Sequence, residues 1–141
     1  MLPFKTLTIM KIILTPQESE EYFYNALCNG LGYVQEYGLD LRYDVQAYKD
    51  AKLKLQSLNP DRQVCYEDVL MQILRDGGKL NLFDEEEQLD NEDNYITLED
   101  VHERVANTQT NHLFDMIEGR DDADTADVIL QTTFLGEIIF G

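Results

Sequence analysis

The hydrophobic positions of the N-terminal half follow a strand period in two places and a helix period in two others. Runs of β-branched or alternating apolar residues predict the strands, and apolar residues three or four positions apart predict the helices. A capping box formed by Thr15 and Glu18, with Pro16 at the first helical position, marks the start of the first helix. The pattern therefore predicts, in chain order, a strand over residues 7–14, a helix over 16–37, a strand over 39–44 and a helix over 45–58.

The C-terminal half begins with a strongly amphipathic stretch that stops at Gly77 and Gly78. Two short apolar runs then flank an acidic segment, which predicts a hairpin with a long tip. Thr97 and Asp100 form a second capping pattern. The predicted elements are a helix over residues 63–76, strands over 80–83 and 95–98 around an acidic loop over 84–94, helices over 98–106, 111–118 and 125–132, and a final strand over 135–140.

Together these elements predict one small α+β domain over residues 1–141. We expect a mixed or antiparallel sheet of about four or five strands packed against about four to six helices. Residues 1–9 are interpreted as an upstream extension, because Met10 begins a more ordinary opening, and no role is assigned to them. The apolar N-terminus has neither the cleavage site of a secretory signal nor the length of a membrane span.

The net charge of −17 is concentrated in one part of the chain. Residues 84–127 hold 16 acidic side chains but only the two basic residues Arg104 and Arg120, whereas residues 1–83 are nearly balanced. A surface of this sign repels nucleic acid and anionic membranes and attracts basic protein surfaces. The charge therefore predicts a basic protein partner, with no direct binding of nucleic acid and no membrane association.

Candidate catalytic and metal-binding residues do not form a known pattern. His102 and His112 are too far apart for the i, i+4 pair of a zinc-protease helix, and the aspartates of residues 121–127 lack the glycine and glutamate of an EF-hand. Cys28 and Cys65 match no metal or redox spacing, and we expect them to be buried and reduced. The sequence thus predicts a protein that is not an enzyme and that carries no cofactor and no metal.

A small-molecule site is the alternative function, because arginines and aromatic rings could converge on a nucleotide-type signal. Gly77, Gly78 and Lys79 do not provide the phosphate loop for it, since they end a helix instead of opening one. The lysines of residues 45–58 are interpreted as a solvated face. The candidate ligand-binding residues are Arg42, Tyr43, Arg62, Tyr66 and Arg75.

Three stretches of the chain resemble small acidic proteins encoded by Bacteroidota phages and mobile elements. They read CYEDVLMQILRDGGKLNLFDEE, YITLEDVHERVANT and HLFDMIEGRDDADTADVILQTTFLGEIIFG, and they span roughly residues 64–141. The resemblance implies a mobile-element setting and hence the cytoplasm of a host cell. It carries no catalytic residue to this chain.

The primary functional prediction is an accessory protein that binds a basic partner through its acidic surface. In a phage setting, the partner would be a host defence protein that normally binds nucleic acid, because spaced carboxylates can occupy sites for phosphates. A virion or assembly component is a further alternative, with an exposed strand at residues 135–140 pairing between subunits as a homo-oligomer. The predicted partner-binding residues are Asp84, Glu85, Glu86, Glu87, Asp90, Glu92, Asp93, Asp121, Asp122 and Asp124.

Overall fold

A computed structural model describes residues 12–86 and 94–141. Within these residues the chain forms six α-helices, one short 3-10 helix at Val105–Asn107 and one three-stranded antiparallel sheet of order β1-β2-β3. The elements are α1 Pro16–Glu36, β1 Leu39–Arg42, α2 Val45–Leu58, α3 Tyr66–Arg75, β2 Leu80–Asp84, β3 Tyr95–Ile96, α4 Leu98–Arg104, α5 Thr110–Ile117 and α6 Ala123–Leu135. The predicted α+β class is confirmed, with fewer strands than expected.

Local chemistry explains where the helices begin. The Thr15 hydroxyl accepts a hydrogen bond from the Glu18 backbone N–H at 3.1 Å, and the Glu18 carboxylate accepts one from the Thr15 N–H at 2.9 Å. Thr97 and Asp100 cap α4 in the same reciprocal way. Both predicted capping boxes are therefore confirmed, and each satisfies backbone donors that the helix itself leaves unpaired.

Helices α1 and α6 form the centre of the core, where Phe23 and Phe134 pack with ring centroids 5.9 Å apart. Gly30 makes this close approach feasible. A Cβ atom at Gly30 would lie 2.9 Å from Leu130 Cδ1 and 3.0 Å from Ala126 Cβ, so any larger residue would push the helices apart. The glycine that weakens the helical pattern in the sequence is thus a packing position.

The sheet has two different faces. Leu39, Leu80, Leu82 and Ile96 are buried in the core. The opposite, outer face is defined by the register, which places Arg42 opposite Asn81 and Asn81 opposite Tyr95, with Asp40 opposite Phe83. We call this row of side chains the outer face of the sheet.

The predicted strand over residues 135–140 is wrong. Helix α6 continues to Leu135, and the following segment is held by Gln131 instead of by another strand. The Gln131 Oε1 atom accepts hydrogen bonds from the backbone N–H groups of Ile139 and Phe140, each at 2.8 Å, and Gln131 Nε2 donates to the Phe140 carbonyl at 3.0 Å. The buried Gln131 amide thus makes the hydrogen bonds with backbone N–H and C=O groups that a neighbouring strand would otherwise make. The exposed edge proposed for subunit assembly is not formed.

The first predicted strand lies mostly outside the described residues. Of residues 7–14, the structure describes 12–14, which form no strand. None of the helices within residues 12–86 and 94–141 combines the length and apolar character needed to cross a membrane.

Candidate functional site

A cavity of about 680 Å³ lies over the outer face of the sheet. Its floor is formed by β2 and β3, and its walls come from the end of β1, the start of α2 and the turn after α3. The volume lies within the range of small-molecule sites, which usually combine apolar surface with a few converging polar groups.

Asn81 forms the polar centre of this cavity. Its side chain is only 5% exposed, and its Oδ1 atom has no hydrogen-bond partner in the part of the chain that the structure describes. A buried carbonyl oxygen without a donor costs roughly 1–3 kcal/mol. Asn81 therefore places one unsatisfied, buried acceptor beside the cavity.

Two cations lie at the cavity wall. Arg42 is half-exposed, and its guanidinium carbon lies 3.6 Å from the Phe83 ring centroid. It also pairs with Glu85 at 3.1 Å and with Asp40 at 3.6 Å. Lys79 Nζ lies 5.9 Å from the Tyr95 ring centroid and has no ion pair with any residue described by the structure. The cavity therefore offers two positive charges to an anion, and Arg42 shares its charge with Glu85 and Asp40.

Aromatic rings supply the flat surfaces of the site. Phe83 and Tyr95 belong to the outer face, and Tyr95 is 48% exposed. Tyr43 lines the opposite wall and stacks on Tyr48 at 5.1 Å between ring centroids. Tyr66 packs against both rings of this pair. Burial raises the pKa of the Tyr66 hydroxyl most, and the hydrogen bond with Tyr43 raises it further.

The turn between α3 and β2 brings its backbone to the cavity. Gly77 has a φ of +90°, a left-handed conformation that favours glycine. A Cβ at Gly78 would lie 2.8 Å from Ile73 Cγ2 and 2.9 Å from the Ile73 carbonyl oxygen. The predicted helix stop is confirmed, and the same two glycines also line the cavity.

The predicted ligand-binding residues do not converge on one pocket. Arg42 and Tyr43 line the cavity on the outer face, whereas Arg62 and Arg75 line a second cavity of about 430 Å³ between α1, α2 and α3. Tyr66 contacts Tyr43 but lines neither of these two cavities. The sequence prediction placed Asn81, Phe83 and Tyr95 on strands but did not recognise them as site residues. It interpreted Lys79, with Gly77 and Gly78, as part of a helix stop.

The second cavity is organised around Glu20. Its carboxylate accepts a hydrogen bond from Arg75 Nε at 3.0 Å and contacts His102 Nε2 at 2.8 Å. Burial alone would raise the pKa of Glu20, but the hydrogen bonds with His102 and Arg75 hold it below its ordinary value. Arg75 is thus bound to the protein itself, which explains why it is not directed towards the first cavity.

The structure describes part of the predicted acidic partner surface. Asp84 is fully buried in β2, where its carboxylate accepts a hydrogen bond from the Glu86 backbone N–H at 2.9 Å. Its prediction as a surface contact is therefore wrong, because the strand continues one residue further than expected. Glu85 and Glu86 are exposed. The predicted residues Glu87, Asp90, Glu92 and Asp93 lie outside the described residues.

The second acidic group lies at the start of α6 and is held by local hydrogen bonds. Asp122 accepts from the Thr125 N–H at 2.9 Å, Asp124 accepts from the Tyr33 hydroxyl at 2.9 Å, and Asp121 contacts Asn29 at 3.5 Å. The hydrogen bonds to backbone N–H groups, chiefly that of Thr125, lower the pKa of Asp122. Among residues 12–86 and 94–141, no three His, Cys, Asp or Glu side chains are arranged to hold a metal ion.

The two cysteines differ from the prediction. Cys28 and Cys65 are both exposed and free instead of buried. They are 37 positions apart in sequence, but the Tyr24 hydroxyl, from the helical turn before Cys28, lies 3.6 Å from Cys65 Sγ. Only the folded arrangement of α1 against the start of α3 brings them together.

Comparison of the chain with models of protein families, with curated proteins and with solved structures found no match. The resemblance of residues 64–141 to acidic phage proteins stays a prediction. The candidate site is defined by the cavity on the outer face and by the residues that line it.

Proposed function

We propose that this protein binds and sequesters a small anionic ligand with a planar ring, of the nucleotide class, in the cavity on the outer face of the sheet. The observation that carries the proposal is the unpaired Oδ1 atom of Asn81, which is buried at the floor of that cavity. If the Asn81 side chain turns its amide towards the cavity, a ligand N–H or O–H group can pair with this oxygen and remove the cost of the unpaired acceptor.

The surrounding side chains support this class of ligand. Arg42 and Lys79 can bind a phosphate, and an Arg guanidinium does so through two parallel hydrogen bonds. Tyr95 offers an exposed ring face for a nucleobase, and base–aromatic stacking contributes about 1–3 kcal/mol. The Phe83 ring supports the Arg42 guanidinium that lies over it. Asn81 lies between Arg42 and Tyr95 in the register, so a ligand can reach all three groups at once.

The net negative charge of the protein disfavours binding of an anionic ligand, and the cations of the cavity reduce this repulsion locally. A net charge of −17 creates a repulsive field that salt screens over about 8–10 Å. The ligand phosphate must also share Arg42 with Glu85. We therefore expect moderate affinity, which decreases little with salt because screening weakens both the local attraction and the overall repulsion.

A thermal-shift screen tests this function directly. The whole protein is heated with mononucleotides, dinucleotides and cyclic nucleotides, and with inorganic phosphate and free nucleosides as partial ligands. A ligand at a hundred times its dissociation constant stabilises the folded state by about 2.7 kcal/mol. We expect a rise in Tm with at least one nucleotide that exceeds the rise with either partial ligand. A flat response across the panel contradicts the proposal.

A second candidate function is the binding of a basic protein partner through the exposed carboxylates at the start of α6. The observation that favours it is the fixed geometry of Asp122 and Asp124, which are exposed yet held by the Thr125 N–H and the Tyr33 hydroxyl. Rigid carboxylates lose little entropy when they bind lysine or arginine. In a phage setting, the partner would be a host protein that binds nucleic acid, and binding would take place in the host cytoplasm.

A pull-down from host lysate over a series of salt concentrations tests the second candidate. The matched variant Asp122→Asn/Asp124→Asn keeps the shape of the surface and removes two charges. We expect a basic protein that is captured at low salt, released at high salt and lost with the variant. Capture that salt and the variant leave unchanged contradicts this function.

A further inference from the structure

Two exposed thiols lie beside the side chain of Tyr24 on the surface of the protein. The Tyr24 hydroxyl lies 3.6 Å from Cys65 Sγ. Cys28 follows Tyr24 by one helical turn, so both side chains lie on the same face of α1. Tyr24 and Cys65 are both among the groups whose proximity affects the pKa of the Cys28 thiol. Both cysteines are exposed, so a small reagent can reach either sulfur.

We propose that Cys28 and Cys65 form an intramolecular disulfide when the protein meets a low-molecular-weight disulfide such as oxidised glutathione. The backbone around Cys65 favours this reaction. Cys65 has an extended conformation before α3, and its side chain makes no capping hydrogen bond with the helix. The preceding residues 61–64 form no helix or strand, which leaves room for the small adjustment that disulfide geometry requires.

The reaction proceeds by two thiol–disulfide exchanges. One cysteine thiolate attacks a sulfur of oxidised glutathione, which breaks that disulfide, forms a mixed disulfide and releases one glutathione thiolate. The second cysteine thiolate attacks the protein sulfur of the mixed disulfide, which forms the Cys28–Cys65 bond and releases the second glutathione. The two protons lost by the cysteines go to the two glutathione thiolates, so one disulfide is reduced as another is formed.

The position of the bond gives it a consequence for the fold. It would close the loop of residues 28–65, which contains β1 and α2. These two elements carry Arg42 and Tyr43 at the wall of the outer-face cavity. Closing a loop of this length restricts the unfolded chain and stabilises the folded one. The disulfide would join α1 to the start of α3 and so close the loop that contains α2, a helix in which Ala51 is the one buried residue.

The experiment uses the whole protein with excess oxidised glutathione at mildly alkaline pH, because burial and the charge of Glu67 raise the pKa of the Cys28 thiol. Intact mass and free-thiol titration are measured after an acid quench. We expect the wild type to lose both thiols together without retaining glutathione and without linking two chains. Cys28→Ser and Cys65→Ser should each retain one glutathionyl group, which shows that each thiol is reached.

Three results overturn the proposal. They are a wild type that keeps both thiols, a wild type that retains two glutathionyl groups at the plateau, and a disulfide that joins two chains. The Tm supplies an independent readout. The oxidised wild type should melt at a higher temperature than the reduced wild type, and added dithiothreitol should reverse the shift. An oxidised protein that melts at the same or a lower temperature contradicts the loop-closing role.

Discussion

Asn81 of β2 lies directly opposite Tyr95 of β3, so a buried amide with an unpaired oxygen sits beside an aromatic ring that is 48% exposed. The two residues combine a hydrogen-bond acceptor and a flat apolar surface at one point of the sheet. The unpaired acceptor of Asn81 destabilises the folded protein unless a ligand donates a hydrogen bond to it. The Tyr95 ring offers a surface on which the same ligand can stack. Their pairing is the local reason to treat the outer face as a ligand site.

Replacing Asn81 should separate stability from function. We expect Asn81→Leu to raise the free energy of unfolding by about 1 kcal/mol, because it removes a buried polar atom that has no partner, and to abolish nucleotide binding. Urea unfolding and calorimetric titration measure the two effects. Asn94→Leu is the matched control, since Asn94 is also buried with an unpaired amide but does not line the cavity. A loss of stability in Asn81→Leu would show a structural role instead.

Glu85 should compete with a ligand phosphate for Arg42. The Glu85 Oε1 atom pairs with Arg42 Nη2 at 3.1 Å, at the position where a ligand phosphate would bind the guanidinium. We expect Glu85→Gln to strengthen nucleotide binding roughly two- to fivefold, because exposed ion pairs contribute about 0.2–1 kcal/mol. Calorimetry compares it with Glu118→Gln, an exposed position that does not line the cavity. Unchanged or weaker binding in Glu85→Gln would show that Glu85 does not compete with the ligand.

The two neighbouring glycines of α1 should respond in opposite directions to the same substitution. We expect Gly30→Ala to destabilise the protein by about 1–3 kcal/mol, because its Cβ would lie 2.9 Å from Leu130 Cδ1 and 3.1 Å from the Ala126 carbonyl carbon. Gly32→Ala should stabilise it by about 0.5–1 kcal/mol, since nothing lies within 4 Å and alanine favours the helix. Denaturant unfolding measures both, and equal effects would argue against the close packing of α1 and α6.

The lowered pKa of Glu20 predicts a specific pH dependence. Its folded-state pKa lies below the ordinary value of 4.5, so the carboxylate stabilises the protein fully above that pH, and the contribution is lost as pH falls through the folded-state pKa. Glu20→Gln should reduce stability by roughly 1 kcal/mol at neutral pH through the weakened contacts with Arg75 and His102. The difference in the free energy of unfolding between the wild type and Glu20→Gln, measured by urea unfolding, should become smaller at acid pH. Glu21→Gln is the exposed control, and a pH-independent gap would contradict the assignment.

Local signals in the sequence predicted most of the fold. The capping box at Thr15 placed the start of α1, and the apolar stripe of α3 with its glycine stop placed the turn that lines the cavity. The last predicted strand was wrong because Gln131, eight residues before Ile139, satisfies the backbone of that segment. No local pattern reveals that a side chain of a helix will do this.

The candidate site was predicted less well because it depends on contacts between distant residues. Arg75 pairs with Glu20, which lies 55 positions earlier, so the arginine turns away from Arg42. Asn81 alternates with apolar neighbours and reads as a solvent-facing strand residue, yet Arg42 and Tyr95 flank it on both sides. Asn81 is buried by residues of the neighbouring strands, so neither its burial nor the resulting loss of stability can be predicted from its own strand.

Titration of the isotope-labelled wild type with a nucleotide, followed by backbone amide chemical shifts, tests the central claim most directly. We predict saturable shifts in the amides of Lys79, Asn81, Phe83 and Tyr95, with weaker shifts for the matching nucleoside and for inorganic phosphate. If no nucleotide of the panel produces saturable shifts there, or if the shifts map to the second cavity between α1 and α3, the outer face of the sheet is not the ligand site.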